Sequence, residues 1–225
     1  MTNVLVTGGV GFIGSNFVRY APRMHSEWHV TTLDKLTYCG RLENLQDVMH
    51  SPRHTFVKGD IRDAAISVPL VRASESVVHF AAETHVDRSL QNADEFILTD
   101  VIGTFVLLEA SRQATGLRRF IQISTDEVYG SGPTGESGET EELRPGNPYS
   151  ASKAGADRLG HDRRYALDTT KLRTLDWAPR GPFADGLAAT VEWYRANPWW
   201  WGPIKHQNPA FQAYYQAQYT GRGSV

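Results

Sequence analysis

With 225 residues, 40% of them apolar, the chain is long enough to bury a real core in one large domain or one and a half. A formal net charge of −2 gives no general attraction to nucleic acid or to an anionic membrane surface. The eight histidines and single Cys39 show no zinc-ligand spacing and permit no internal disulfide, so no metal is expected and a reducing, cytoplasmic setting is.

The N-terminal run MTNVLVTGGVGFIG lacks a basic leader and is broken by glycines. Nowhere does the sequence approach the roughly 20 apolar residues of a membrane span. In chain order, NVLVTG predicts a first strand, followed at once by Gly8, Gly9, Gly11 and Gly14. Glycine lets the backbone turn sharply and approach a pyrophosphate, which then lies on the N-terminus of the following helix. Phe12 and Ile13 fall inside that turn. HVTTLD predicts the second strand and ends on Asp34, 20 residues after Gly14. A carboxylate there accepts bonds from an adenosine ribose and repels a 2′-phosphate, which favours NAD over NADP. The third strand, TFVKGD, leads to Asp60 and Ile61, placed to hold an adenine edge, although an Asp after a strand is also an ordinary helix cap.

SVVHFA predicts the fourth strand, and the amphipathic 92–113 a helix. FIQIST predicts the fifth strand, and TDEVYG follows it. Thr125, Asp126 and Glu127 thus come to the C-terminal edge of the sheet, where open α/β folds bind ligands. Two neighbouring carboxylates can divide the roles of acid and base if their environments differ. The Gly/Pro/Glu-rich 130–148 reads as a substrate lid or as a plain solvated loop. NPYSASKAGADRL then places Tyr149 and Lys153 four apart, on one face of a helix. A tyrosine is a poor base with an ordinary pKa of about 10. A lysine one turn away and a positive nicotinamide ring favour tyrosinate, and so proton abstraction from a sugar hydroxyl.

Strands alternating with helices predict an α/β fold with a doubly wound parallel sheet of Rossmann type. After position 160 no further strand of this kind occurs. KLRTLDW and FADGLAATVEWYRANP predict helices, the latter starting near Asp185 and stopped by Pro198. Five of the six tryptophans fall here, WWW at 199–201 among them, and are expected to pack a terminal helix on the sheet domain. The last stretch, AFQAYYQAQYTGRGSV, is expected to be partly disordered.

Together, TGGVGFIGSNF, LDKLTYCGRLENL, GDIRD, HFAAETHVDRS, ISTDEVYG and NPYSASKAGADRL resemble the extended short-chain dehydrogenase/reductase family, and within it the branch that dehydrates nucleotide-activated glucose such as dTDP-glucose. Sugar 4-epimerases resemble the chain at the glycine loop and Tyr/Lys pair but lack the paired acids. The resemblance implies NAD held by Gly8, Gly11, Phe12, Ile13, Gly14, Asp34, Lys35, Thr37, Asp60, Ile61, Ala81, Ala82, Tyr149 and Lys153. It implies Tyr149 as the base at the C4 hydroxyl supported by Lys153 and Thr125, Glu127 as the base at C5, and Asp126 as the acid at the C6 hydroxyl. Thr84, His85, Arg88 and Thr125 would line the sugar site. His161 and Arg163 would stand near the nucleotide diphosphate, unless they belong to a solvated charge run. Members resembling this chain commonly pair as homodimers.

The resemblance departs in two places. Family members carry a long segment between the Lys153 helix and GHDRRYALD that is absent here, the join falling near Leu159 and Gly160. Residues 1–160 are therefore expected as the NAD-binding domain and 161–225 as a remnant of the helical substrate domain, leaving the sheet incomplete and an edge beyond the fifth strand unpaired. A noncatalytic NAD-binding remnant, or an interaction protein using that edge, is the alternative to an enzyme. The second departure is Asp100, where the family has asparagine and where an acceptor-only carboxylate could disturb the local hydrogen bonds.

Overall fold

The structure is a computed structural model and describes residues 2–130, 137–138, 141–159 and 181–219. Contacts divide the chain into two compact units, Met1–Thr169 and Thr170–Val225.

In the first unit, β1 (Thr2–Thr7), β2 (Trp28–Asp34), β3 (His54–Lys58), β4 (Ser76–His79) and β5 (Arg119–Gln122) form one sheet. Its order is β3-β2-β1-β4-β5 and all pairings are parallel. Val4 lies beside Val30 on one neighbour and Ser76 on the other. Side chains alternate across a strand, so Val4 and Val6 enter one apolar cluster with Val18 and Val30, while Leu5 enters the opposite one with Leu33, Val77 and Leu107. Coverage on both faces explains why the strand sequences are apolar without a polar face.

Helices α1 (Phe12–Met24) and α2 (Ala64–Arg72) belong to the crossovers. Asp63 caps α2 by accepting the Ala65 N–H at 2.9 Å. Short α3 (Val86–Gln91) precedes the predicted 92–113 helix. That helix is realised in three parts: α4 (Ala93–Phe96), a wide π-type stretch (Ile97–Gly103) and α5 (Thr104–Gln113). Where the turn widens, the Thr104 hydroxyl donates to the Asp100 carbonyl at 2.5 Å, a side-chain bond of the kind that perturbs a regular helical ladder. Helix α6 (Pro148–Leu159) carries Tyr149 and Lys153. Strand β5 ends the sheet with no strand outside it among the described residues. The chain changes direction between β1 and β4, so the crevice at their C-terminal ends is the switch point where such sheets bind ligands.

The second unit is helical, as the sequence predicts. Helix Phe183–Ala196 begins before Asp185, directly after Pro182. Pro198 does not merely stop it: it opens the next helix, Pro198–Gln207, at a first-turn position where its missing N–H costs nothing. Of the stretch expected to be partly disordered, the part up to Tyr219 lies in a third helix, Pro209–Tyr219, with the Asn208 side chain accepting the Phe211 N–H at 3.1 Å, and 220–225 lie outside the described residues. The WWW helix has no buried residue. Within this unit Trp200 meets the rings of Trp193 and Tyr194 at 5.5 and 6.0 Å. KLRTLDW, the 159–160 join, and 131–136 and 139–140 of the loop lie wholly or partly outside the described residues. Among the described residues no helix is long and apolar enough to cross a membrane.

Candidate active site

The glycine loop is built by close approach. Gly8 has φ +70°, and a Cβ on it would lie 2.5 Å from the Ala81 nitrogen; a Cβ on Gly14 would collide with the Gly8 carbonyl. Only glycine gives both the turn and the space. Helix α1 opens immediately behind, with no side-chain cap at Gly11 and no acid in its first turn. That is the arrangement in which backbone N–H groups and the helix dipole favour an anion.

Asp34 fastens this loop. It is 9% exposed, accepts the Val10 N–H at 3.2 Å and the Leu36 N–H at 2.9 Å, and burial pushes its carboxyl up against those two bonds. Further out, the Asp60 carboxylate receives Lys35 Nζ at 2.9 Å and Arg62 at 2.8 Å. Burial alone would raise its pKa, but the bonds from Arg62 and Lys35 outweigh it and bring it down to about 2.

These groups border a cleft of about 400 Å³ at the switch point. Every residue expected to hold NAD lines it: Gly8, Gly11, Phe12, Ile13, Gly14, Asp34, Lys35, Thr37, Asp60, Ile61, Ala81, Ala82, Tyr149 and Lys153. Cys39, Gly40, Glu83, Thr99 and Ser124 line it as well. The glycine cradle, the open helix N-terminus and the Asp34 carboxyl at the end of β2 fit a dinucleotide.

Asn147 fixes the start of α6. Its side-chain oxygen accepts the Ser150 N–H at 2.8 Å, and the Ser150 hydroxyl returns a bond from the Asn147 N–H at 3.2 Å, a reciprocal cap. The remaining Asn147 Nδ2 donates to Glu127 at 3.1 Å. One residue therefore anchors the Tyr/Lys helix and aims an acid. Thr125 hydrogen-bonds the Tyr149 side chain, whose pKa is raised by burial and by the nearby acids Glu127, Asp100 and Asp126. The Thr125 hydroxyl also donates to Asp126 at 3.3 Å. Asp126 is exposed and Glu127 half-buried, so the paired acids meet different surroundings.

Lys153 is 5% exposed, and its Nζ donates to the Ile123 carbonyl at 2.6 Å. Burial lowers its pKa, while Asp100 and Asp157 oppose the change. Asp157, one turn beyond Lys153, accepts bonds from Ser124 and, at 3.1 Å, Gln122. Below the site His79 bridges Thr7 Oγ1 at 2.6 Å and Thr104 Oγ1 at 3.0 Å. Thr104 spends its proton on the Asp100 carbonyl, so His79 donates from Nε2 and accepts at Nδ1, a neutral tautomer. Burial, then the Lys153 charge, push its pKa down to about 3.

A second hollow of about 360 Å³ is lined by Thr84, His85, Val86, Asp87, Glu127 and Tyr149. Tyr149 thus borders both cavities. Arg88 instead lies over the Tyr38 ring, 3.7 Å from its centroid. His161 and Arg163 lie outside the described residues. Asn147, Asp157 and Glu83 were not singled out by the sequence. An Asn-Pro pair before a helix was the available signal for Asn147; nothing local marks the other two.

A parallel five-stranded sheet with this cleft at its switch point defines a Rossmann-type domain. The family described as GDP-mannose 4,6 dehydratase matches residues 5–162, and the chain belongs to it. A dTDP-glucose 4,6-dehydratase of Streptomyces niveus is 34% identical over 327 residues, which cover 92% of this chain and 97% of the relative. That span exceeds the 225 residues present, so the match bridges an internal stretch that this chain lacks. The low-salt glycan biosynthesis protein Agl12 of Haloferax volcanii is 50% identical over 80% of this chain, which spans 57% of that relative's length. The crystal structure of DesIV, a dTDP-glucose 4,6-dehydratase from Streptomyces venezuelae solved with NAD bound, has a TM-score of 0.82 at 32% identity, covering 91% of this chain and 100% of its own.

Proposed function

We propose that residues 1–160 bind NAD and that the chain dehydrates a nucleotide-activated glucose, dTDP-glucose, to its 4-keto-6-deoxy form. The observation that carries the reading is Tyr149, which borders the glycine-loop cleft on one side and the hollow containing Glu127 on the other. Tyr149 takes the C4 hydroxyl proton, with Thr125 bonded to it and the Lys153 cation behind it. When bound, NAD supplies the oxidation at C4 and the reduction at C6, so none is consumed. Glu127, aimed by Asn147, takes the C5 proton made acidic by the 4-ketone. Asp126 protonates the departing C6 hydroxyl, and water leaves. Thr84 and His85 hold the sugar. An epimerase needs no paired acids, which is why the dehydration reading is preferred.

Two further parts belong to this proposal. Leu98, Ile102 and Phe105 stand 41, 44 and 48% exposed along one helical stretch, a surface suited to a second copy of the chain; light scattering on the purified protein tests for the homodimer. The exposed free thiol of Cys39 suits a reducing cytoplasm.

A second reading, a noncatalytic NAD-binding remnant, is favoured by the missing internal stretch. Incubation with dTDP-glucose separates the two. Formation of the 4-keto-6-deoxy sugar, falling by about 10²–10⁴-fold in Tyr149→Phe, supports the dehydratase. No product together with thermal stabilisation by NAD supports the remnant, and a 4-epimer product would reveal an epimerase. Absence of any NAD stabilisation would remove the cofactor reading itself.

A further inference from the structure

Asp100 is a buried charged group for which the proposed chemistry has no task. It sits on the wide stretch Ile97–Gly103 at 1% exposure. Its Oδ1 accepts the Glu83 N–H at 2.8 Å and its Oδ2 accepts the Ser152 hydroxyl at 2.7 Å. Glu83 follows β4 and lines the cleft, and Ser152 precedes Lys153 on α6. One side chain therefore ties two walls of the site together.

The hydrogen bonds also accommodate a second protonation state. Ser152 Oγ lies 2.8 Å from the Tyr149 carbonyl as well as 2.7 Å from Asp100, yet a hydroxyl has one proton to give. With Asp100 ionised, two acceptors compete for it. With Asp100 neutral, the carboxylic acid donates to Ser152 Oγ, the serine proton goes to the Tyr149 carbonyl, and every atom is satisfied. Burial accordingly holds the Asp100 carboxyl up at about 6, against the pull of Ser152 and Lys153.

The groups around it are few. Lys153 and Tyr149 face it from α6, and Glu83 from the loop after β4. Helix α5 meets it through the Thr104 hydroxyl, and the α4 acid Glu95 is paired with Arg62 at 3.5 Å.

We propose that Asp100 is a positioning residue of this centre: it joins the Glu83 loop to the Tyr149/Lys153 helix through Ser152, and by exchanging a proton it switches the charge that Lys153 and Tyr149 feel. Ionised, it favours the Lys153 cation and opposes tyrosinate; neutral, it releases both effects. The catalytic half of this role rests on Tyr149 being the base, so the test has one arm that needs no turnover.

In that arm the unfolding temperature of the full chain is followed from pH 8 to pH 4.5 for wild type, Asp100→Asn, Lys153→Met and the double variant. The folded state holds the Asp100 proton at higher pH than the unfolded chain, where an aspartate titrates near about 3.9. Wild type therefore gains stability relative to Asp100→Asn as pH falls through about 6. Removing the Lys153 cation moves that step to higher pH. Parallel curves for wild type and Asp100→Asn, or a step that Lys153→Met leaves in place, would overturn the proposal. Should Asp100→Asn fail to fold, Ser152→Ala removes a donor to the ionised form and must raise the step in the same direction.

In the second arm, kcat for dTDP-glucose is followed against pH. Asp100→Asn shifts the acid limb downward by about half a pH unit or more with KM unchanged, and superimposed profiles would count against the role. If the wild type makes no product, the dehydratase reading fails by itself while the first arm still decides whether Asp100 and Lys153 are coupled.

Discussion

The sheet unit and the helical tail have similar apolar vocabularies and opposite fates. In the sheet, Val4, Leu5, Val6 and Val30 are essentially inaccessible because strands feed side chains alternately into two covered faces. In the tail, Leu187, Val191, Trp193 and Trp199 stand about half exposed. An aromatic ring is stabilised only where a second layer covers it. Within the tail, Trp193, Tyr194 and Trp200 meet edge to face, Phe211 and Tyr215 stack, and the indole N–H of Trp201 donates to the Tyr194 carbonyl at 2.7 Å.

The largest expected contrast follows directly. Leu5→Ala leaves a cavity between strand layers and should cost about 2–5 kcal/mol, read as a lowered denaturation midpoint with an unchanged slope. A cost below about 1 kcal/mol would mean that the sheet interior is far looser than its packing indicates.

What the sequence made legible follows the same division. Five β-branched runs, each ending near glycine or a polar residue, became five strands with ends within three residues, and the glycine spacing brought Gly8 against Ala81. These signals are local. Asp100 stood out in the sequence only as a departure from the family asparagine; its burial and its partners come from tertiary packing against α6, which no local pattern reports. The links Asn147–Glu127 and Ser124–Asp157 join residues distant in the chain. In the tail, periodicity marks the helices but reports nothing of what covers the clustered tryptophans.

A smaller effect than cavity formation is expected from pH. His79 is neutral when folded, with its pKa down at about 3, whereas an unfolded histidine titrates near about 6.5. The unfolded chain therefore binds more protons below that value, and this contribution to stability, complete above pH 6.5 or so, is lost as pH falls toward 3. His54, lowered by burial and by His29, acts in the same sense, and Asp100 in the opposite one. The His79 share is isolated by comparing wild type with His79→Gln: their unfolding temperatures should converge as pH drops from 7.5 to 4.5. A constant gap would show that the imidazole is not held neutral between Thr7 and Thr104.

Smaller again is the helix cap. Asn147→Ala removes the acceptor for the Ser150 N–H and the donor to Glu127, at a stability cost of about 1 kcal/mol. If Glu127 is the C5 base, turnover should fall by more than that loss accounts for. Asn147→Asp separates the roles, since aspartate still caps the helix but opposes Glu127 with a like charge. Full activity in Asn147→Asp would show that the cap, not the aim of Glu127, is what matters.

The smallest effect should come from the tail. Trp199 is 52% exposed, and its indole N–H bonds only the Asn197 side chain, at 3.0 Å. Its removal exposes no new core, and Trp199→Ala should change stability by no more than about 0.5 kcal/mol, as at other surface positions. The near-silence of so large a deletion beside the cost of Leu5→Ala is the sharpest form of the comparison. A loss of about 2 kcal/mol or more at Trp199 would mean that the tail aromatics are covered in solution, by another copy of the chain or by a partner. Repeating the measurement over a hundredfold range of protein concentration then distinguishes the two, because self-association alone makes the unfolding temperature depend on the concentration of the chain itself.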